Sequence, residues 1–107
     1  MGDLQWDKGF AEEQSGGDLE LMEELLTLLD ESTQSDFMKI KDGLAAGDSK
    51  AVADAAHSIK GAAASLGVEG LRDVAYDLEK MGRQDMLADI DLAALEDLVG
   101  QLGTLKP

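Results

Sequence analysis

Apolar residues recur three or four positions apart along most of the chain, with polar residues between them. The clearest run lies in residues 18–44, with apolar or small residues at Met22, Leu26, Leu29, Thr33, Phe37, Ile40 and Leu44. This spacing gives an α-helix one apolar face, so the run predicts a long amphipathic helix. Asp18 is a favourable residue to cap its start. Leu21, Leu25 and Leu28 form a second apolar edge, which we expect an N-terminal segment to cover.

The same periodicity predicts three further helices, over about residues 48–66, 69–81 and 91–102. A short helix over residues 6–14 would lay Trp6 and Phe10 onto the domain. Glycine and aspartate mark the expected breaks, near residues 15–17, 43–48, 67 and 82–91. Four amphipathic helices with short connections predict an all-α fold, an antiparallel four-helix bundle with a short additional N-terminal helix. The length favours one domain over residues 1–107.

The single histidine of the chain, His57, lies in the second of the four bundle helices. At about 100° per residue, the apolar side of this helix falls within one arc of roughly 80°. That arc contains Val52, Ala56, Ile59, Ala63 and Leu66. His57 lies roughly 120° from its middle, so the ring is expected to face solvent. This orientation counts against a buried structural histidine, but an ordinary surface histidine without a role remains possible.

Small residues surround His57 on the predicted helix. Positions three and four residues away share its face, and these are Ala53, Lys60, Gly61 and Ala64. An idle solvent face normally carries long side chains, whereas small neighbours leave both ring nitrogens accessible and let another protein approach. Glycine inside a helix costs about 0.5–1 kcal/mol relative to alanine. Access for a partner would explain that cost at Gly61.

Composition excludes several classes of partner. The chain has 9 basic and 23 acidic residues, a formal net charge of −14, which disfavours nucleic acid and anionic membranes. Without cysteine, no disulfide or zinc–thiolate site can form. No apolar stretch approaches the length of a membrane span, and the N-terminus does not resemble a signal peptide. We therefore expect a soluble, cytoplasmic protein.

The negative charge is unevenly distributed. Residues 50–83 contain five bases and five acids, whereas the rest of the chain contains 4 bases and 18 acids. The segment around His57 is thus neutral, so an anionic group could be held there without the repulsion that the rest of the chain would impose.

Residues 56–67, AHSIKGAAASLG, closely resemble the signature of histidine-containing phosphotransfer (HPt) domains, which is His, any residue, an aliphatic residue, Lys and Gly, followed by small residues and Leu-Gly. The resemblance extends to residues 17–21, 47–48 and 71–79, and so covers nearly the whole chain. It implies a four-helix bundle whose histidine exchanges phosphate with an aspartate on receiver domains of response regulators or hybrid sensor kinases.

Carried onto this chain, the resemblance makes His57 the phosphoacceptor and Lys60 the cation that stabilises phosphoryl charge. The alternative for Lys60 is an ordinary solvated lysine. It makes Gly61 the clearance for the receiver, with docking contacts expected at Ala53, Ala64 and Arg83. Some members carry glutamine where this chain has Glu79. A carboxylate there disfavours phosphate unless it points away or pairs with Lys80 or Arg83, so the roles of Glu79 and Arg83 stay open.

The domain is expected to be a monomeric phosphocarrier without autonomous turnover and without a cofactor of its own. Magnesium is expected on the partner receiver, because the acids here are dispersed and one histidine cannot build a zinc site. Two alternatives remain, a phosphoacceptor domain of a chemotaxis-type histidine kinase and an acidic helical adaptor without chemistry. A di-iron bundle is excluded because its Glu-x-x-His pairs are missing. The chain fits either a standalone protein or part of a hybrid kinase.

Overall fold

The computed structural model describes residues 4–105, which form five α-helices and one 3-10 turn and contain no β-strand. The ends of the predicted 1–107 domain, residues 1–3 and 106–107, lie outside this range. The elements in chain order are α1 (Lys8–Gln14), α2 (Leu19–Ala46), α3 (Ser49–Ser65), α4 (Glu69–Arg83), the 3-10 turn (Leu87–Asp89) and α5 (Ala93–Leu102).

Helices α2 to α5 form the bundle. Each of them packs against two others, in the pairs α2–α3, α3–α4, α4–α5 and α2–α5, with α3 most extensively packed. The connections on either side of α3 are only two and three residues long, which makes consecutive helices antiparallel. The 28 residues of α2 span about 42 Å and set the long dimension of the molecule, 42 Å. The predicted all-helical bundle is confirmed.

Aspartate side chains begin the helices where the sequence indicated. Asp18 accepts a hydrogen bond from the backbone N–H of Leu21, and Asp48 accepts one from that of Ala51. These contacts satisfy N–H groups that have no partner within the helix. Gly47 and Gly67, with φ of 67° and 73°, follow α2 and α3 in the left-handed conformation that favours glycine.

Gly43 and Gly82, at the edges of two predicted breaks, lie inside α2 and α4. A Cβ built on Gly43 would lie 2.8 Å from Cγ2 of Val52, and one built on Gly82 would lie 3.0 Å from the backbone N of Ala53. Both glycines allow α2 and α4 to approach α3 closely. The predicted breaks do occur within residues 43–48 and 82–91, at residues 47–48 and after Arg83, but Gly43 and Gly82 themselves allow close helix packing and do not end a helix.

The N-terminal prediction was correct only in part. The helix begins at Lys8, not at position 6, because Trp6 is extended and pairs with Val68 in an isolated antiparallel bridge. The indole N–H of Trp6 donates to the carbonyl of Leu66 at 3.1 Å, so this residue does lie on the domain. Phe10 remains 36% exposed.

The second apolar edge of α2 is not covered as expected. Leu21 is 39% and Leu28 is 60% exposed, while Leu25 is half-buried. Helix α1 has only seven residues and contacts α2 over a small area, so it cannot bury three leucines spread over two helical turns.

Candidate functional site on the outer face of α3

His57 projects from the middle of α3 into solvent. All five residues of the predicted apolar arc are buried: Val52, Ala56, Ile59, Ala63 and Leu66. Since these residues hold one side of α3 against the bundle, the side chain of His57 stays 61% exposed. The predicted orientation of the ring is confirmed, and its proposed role remains a prediction.

One nitrogen of the ring is engaged by the neighbouring helix. Nδ1 of His57 lies 2.9 Å from Oε2 of Glu79 on α4. A carboxylate only accepts hydrogen bonds, so Nδ1 carries the proton and Nε2 of the neutral ring holds the free electron pair. The expectation that both nitrogens are accessible was therefore wrong. Within the described residues, Nε2 forms no hydrogen bond with the protein.

Glu79 is the buried centre of an ion-pair cluster. Its side chain is 11% exposed, with Oε1 lying 2.6 Å from Nζ of Lys60 and Oε2 lying 3.5 Å from Nη2 of Arg83. Burial raises the pKa of Glu79, but the hydrogen bonds and charges of Lys60 and His57 outweigh it and hold the pKa below its ordinary value. Glu79 thus pairs with Arg83 as one expectation had it, whereas Lys80 pairs with Asp77 instead.

Lys60 is not a freely solvated lysine. Its side chain is 26% exposed and its ammonium group lies both at Glu79 and 4.9 Å from the centre of the Tyr76 ring. Lys80 approaches the same ring at 4.4 Å. Tyr76 therefore attracts both Lys60 and Lys80 by cation–π interactions.

Part of the predicted small-residue face is open. Gly61 and Ala64 are exposed, and a Cβ built on Gly61 would meet no atom within 4 Å beyond its own helix backbone and chain neighbours. Ala53 does not belong to this face, which corrects the expected docking contact there. It is 0% exposed because Gly82 of α4 packs directly against it.

Arg83 lies at the edge of the site and links two acids. Its Nη1 is 3.2 Å from Oδ1 of Asp54, while its Nη2 faces Glu79. The other carboxylate oxygen of Asp54, Oδ2, binds Lys50 at 2.7 Å. The hydrogen bond from Lys50, assisted by Arg83 and opposed by desolvation, lowers the pKa of Asp54. On the α2 side, Ser58 donates to Asp36 at 2.6 Å.

Among residues 4–105, no cluster of three or more acidic or histidine side chains could hold a metal ion. No helix in this range is both long enough and apolar enough to cross a bilayer.

The chain that carries this site matches a known protein family. The family model of the Hpt domain matches residues 13–105, nearly the whole chain. The chain belongs to the Hpt domain family. No curated protein and no solved structure gave a significant match. Membership makes this Hpt domain a phosphocarrier with a histidine phosphotransfer role in a phosphorelay, in which Hpt domains interact with receiver domains.

The sequence did not predict that Glu79 of this Hpt domain would contact both His57 and Lys60. A signal was present, because Glu79 follows Ala75 by one turn and precedes Gly82 by three residues, and both lie on the buried side of α4. A carboxylate at that edge must find cations, and Lys60 of α3 supplies the nearest one.

Proposed function

We propose that His57 accepts a phosphoryl group on Nε2 from the aspartyl phosphate of one receiver domain and passes it to an aspartate of another. The observation that carries this proposal is the asymmetry of the ring, whose Nδ1 is bound to Glu79 while Nε2, in a side chain that is 61% exposed, has no hydrogen-bond partner among the described residues. A neutral imidazole with its proton fixed on Nδ1 can attack without a general base.

The transfer begins when Nε2 attacks phosphorus in line with the bond to the aspartate oxygen. The Nε2–P bond forms, the O–P bond breaks, and the receiver recovers a free carboxylate. The reverse sequence of bond changes delivers the group to a second receiver. This Hpt domain completes no catalytic cycle alone, since it only holds the group between two partners.

The surrounding residues are assigned supporting roles. Lys60 stabilises charge on the phosphoryl oxygens, and Gly61 and Ala64 leave room for the receiver at the exposed part of α3. Arg83, half-exposed at the rim, contacts the docked receiver. Magnesium binds to the receiver and not to this chain.

Replacing His57 by glutamine tests the proposal directly. We expect His57→Gln to abolish phosphate uptake from a phosphorylated receiver and to leave thermal unfolding nearly unchanged, because the side chain is exposed. Uptake is measured by radiolabel transfer and unfolding by circular dichroism. Retained uptake would exclude His57 as the acceptor, whereas a large loss of stability would show a structural histidine.

Gly61→Gln separates docking from chemistry in the same assay. The longer side chain should slow transfer from a receiver but not phosphorylation by phosphoramidate, a donor too small to need a docking surface. Equal rates from the receiver in wild type and variant would remove the role assigned to Gly61. Transfer only from an ATP-loaded kinase domain would favour the chemotaxis-type alternative.

A further inference from the structure

Attack by Nε2 leaves the ring with one proton more than a neutral phosphohistidine. The proton on Nδ1 is present before the attack, and Nε2 gains a bond to phosphorus, so the first product is a phosphorylated imidazolium. If Nδ1 then loses its proton, the leaving group in the next transfer becomes an imidazolide anion, which is a poor leaving group. Retaining the proton keeps the phosphoryl group transferable.

We propose that the Glu79 carboxylate holds the Nδ1 proton on phosphorylated His57 and thereby keeps the phosphoryl group in its readily transferable form. This inference builds on the proposed function and assigns Glu79 as a positioning residue, since it acts through the ring and does not touch the phosphoryl group. The contact that carries it is the 2.9 Å distance from Oε2 to Nδ1. Burial of Glu79 strengthens this contact, because few water molecules can compete for the carboxylate.

The charges around the ring agree with a retained proton. The connected cluster contains three cations, Lys50, Lys60 and Arg83, and two anions, Asp54 and Glu79. A phosphoryl group adds a charge of about −2 near neutral pH. With the ring protonated, the phosphorylated cluster is close to neutral, whereas loss of the proton leaves it about one charge negative.

No other described charge replaces Glu79 at Nδ1. On α4, Nη2 of Arg83 lies 3.5 Å from Oε2, and its positive charge opposes a proton on the ring. Lys80, also on α4, contacts Asp77 and Tyr76 instead. From α3, Lys60 faces Oε1. From α2, the carboxylate of Asp36 is bound to Ser58. Glu79 is therefore the carboxylate placed to stabilise the protonated ring.

The experiment compares wild type with Glu79→Gln after loading by phosphoramidate. Glutamine can still accept from Nδ1 through its amide oxygen, so the variant can keep a hydrogen bond to the ring while it loses the negative charge. Because the chain has one histidine, the imidazole nitrogen signals in ¹⁵N NMR of untagged protein belong to His57 alone. The matched control is Glu96→Gln, which removes one charge from an exposed residue of α5.

In wild type and the Glu96→Gln control, the phosphorylated ring should hold its Nδ1 proton to a higher pH than in Glu79→Gln, by about one pH unit. Each protein is compared with its own rate of transfer to a receiver near pH 5.5, which cancels any effect of the substitution on Lys60. Between pH 5.5 and pH 8 that rate should fall about tenfold more in Glu79→Gln than in the other two proteins, the fold-change that corresponds to that shift.

The possible outcomes distinguish a failure of the role assigned to Glu79 from a failure of the proposed function. If phosphoramidate does not phosphorylate Nε2 of wild-type His57, or if no receiver accepts the group, the proposed function fails. If phosphorylation and transfer proceed but the NMR titration and the pH profile are the same in wild type and Glu79→Gln, the role of Glu79 is overturned. Circular dichroism checks that the variant is folded, and the titration applies only to folded protein.

Discussion

Glu79 is the residue at which stability and chemistry meet in this Hpt domain. A buried carboxylate is costly unless it is paired, and here Lys60, Arg83 and the Nδ1–H of His57 provide three partners. The same contacts hold the ammonium group of Lys60 and favour the ring tautomer with its proton on Nδ1. A single side chain therefore contacts all the groups to which we assign the phosphoryl chemistry.

The lowered pKa of Glu79 predicts a defined pH dependence of stability. A carboxyl group with a lowered folded-state pKa stabilises the fold above its unfolded value, here near 4.5, and loses that contribution as the pH falls through the folded value. The unfolding free energy of wild type should therefore exceed that of Glu79→Gln most above pH 5, and the difference should shrink towards pH 3. Urea unfolding of both proteins at each pH measures it.

A difference that stays constant from pH 7 to pH 3 would contradict the ionised, paired state of Glu79. Comparing the two proteins at each pH cancels the contributions of the other carboxylates, because both proteins contain them.

At the scale of the helices, three glycines affect the surroundings of α3 in two ways. Gly43 of α2 and Gly82 of α4 let their helices approach Val52 and Ala53, whereas Gly61 of α3 faces open space. Close approach on two sides places His57 of α3 within reach of Glu79 of α4. Packing against α3 is thus a condition for the site.

Alanine substitutions should distinguish these glycines. Gly82→Ala should destabilise the domain by about 1–3 kcal/mol, because the new Cβ would press against the backbone of Ala53. Gly61→Ala, the matched control in the neighbouring helix, should stabilise it by about 0.5–1 kcal/mol through helix propensity. Denaturant unfolding measures both, and equal effects would refute the packing role of Gly82.

Helix number, type and approximate bounds were predictable because the apolar spacing and aspartate caps are local signals. The exposure of His57 followed from the same spacing. The spacing along α4 indicated that Glu79 lies at its buried side, but the choice of His57 as a partner and the burial of Ala53 depend on how closely α3 and α4 approach. That distance is set by Gly82, whose packing partner cannot be identified from its own helix.

Over the whole molecule, the net negative charge lies in other segments of the chain than the one that carries His57. The net charge of −14 lies entirely outside residues 50–83, so the histidine face is neutral on a strongly acidic body. Mutual repulsion among the acids opposes the compact state. The negative surroundings also set the sign of the long-range field that an approaching receiver meets.

Screening this repulsion should stabilise the domain. Raising NaCl from 20 mM to 500 mM shortens the range of the repulsion to a few ångströms, so we expect the melting temperature to rise. Thermal unfolding followed by circular dichroism measures it. A lower melting temperature at high salt would mean that the ion pairs around Glu79 and Asp54 contribute more to stability than the repulsion costs.

The N-terminal segment bears directly on the end of α3. Backbone N–H groups of Asp7 and Gly70 donate to the carbonyls of Gly67 and Leu4, both at 2.8 Å, and the indole of Trp6 is anchored to Leu66. Trp6 is the single tryptophan of the chain. Its fluorescence therefore reports whether the N-terminal segment stays packed against the end of α3. The signal can be followed while a partner binds and dissociates, and it needs no attached dye.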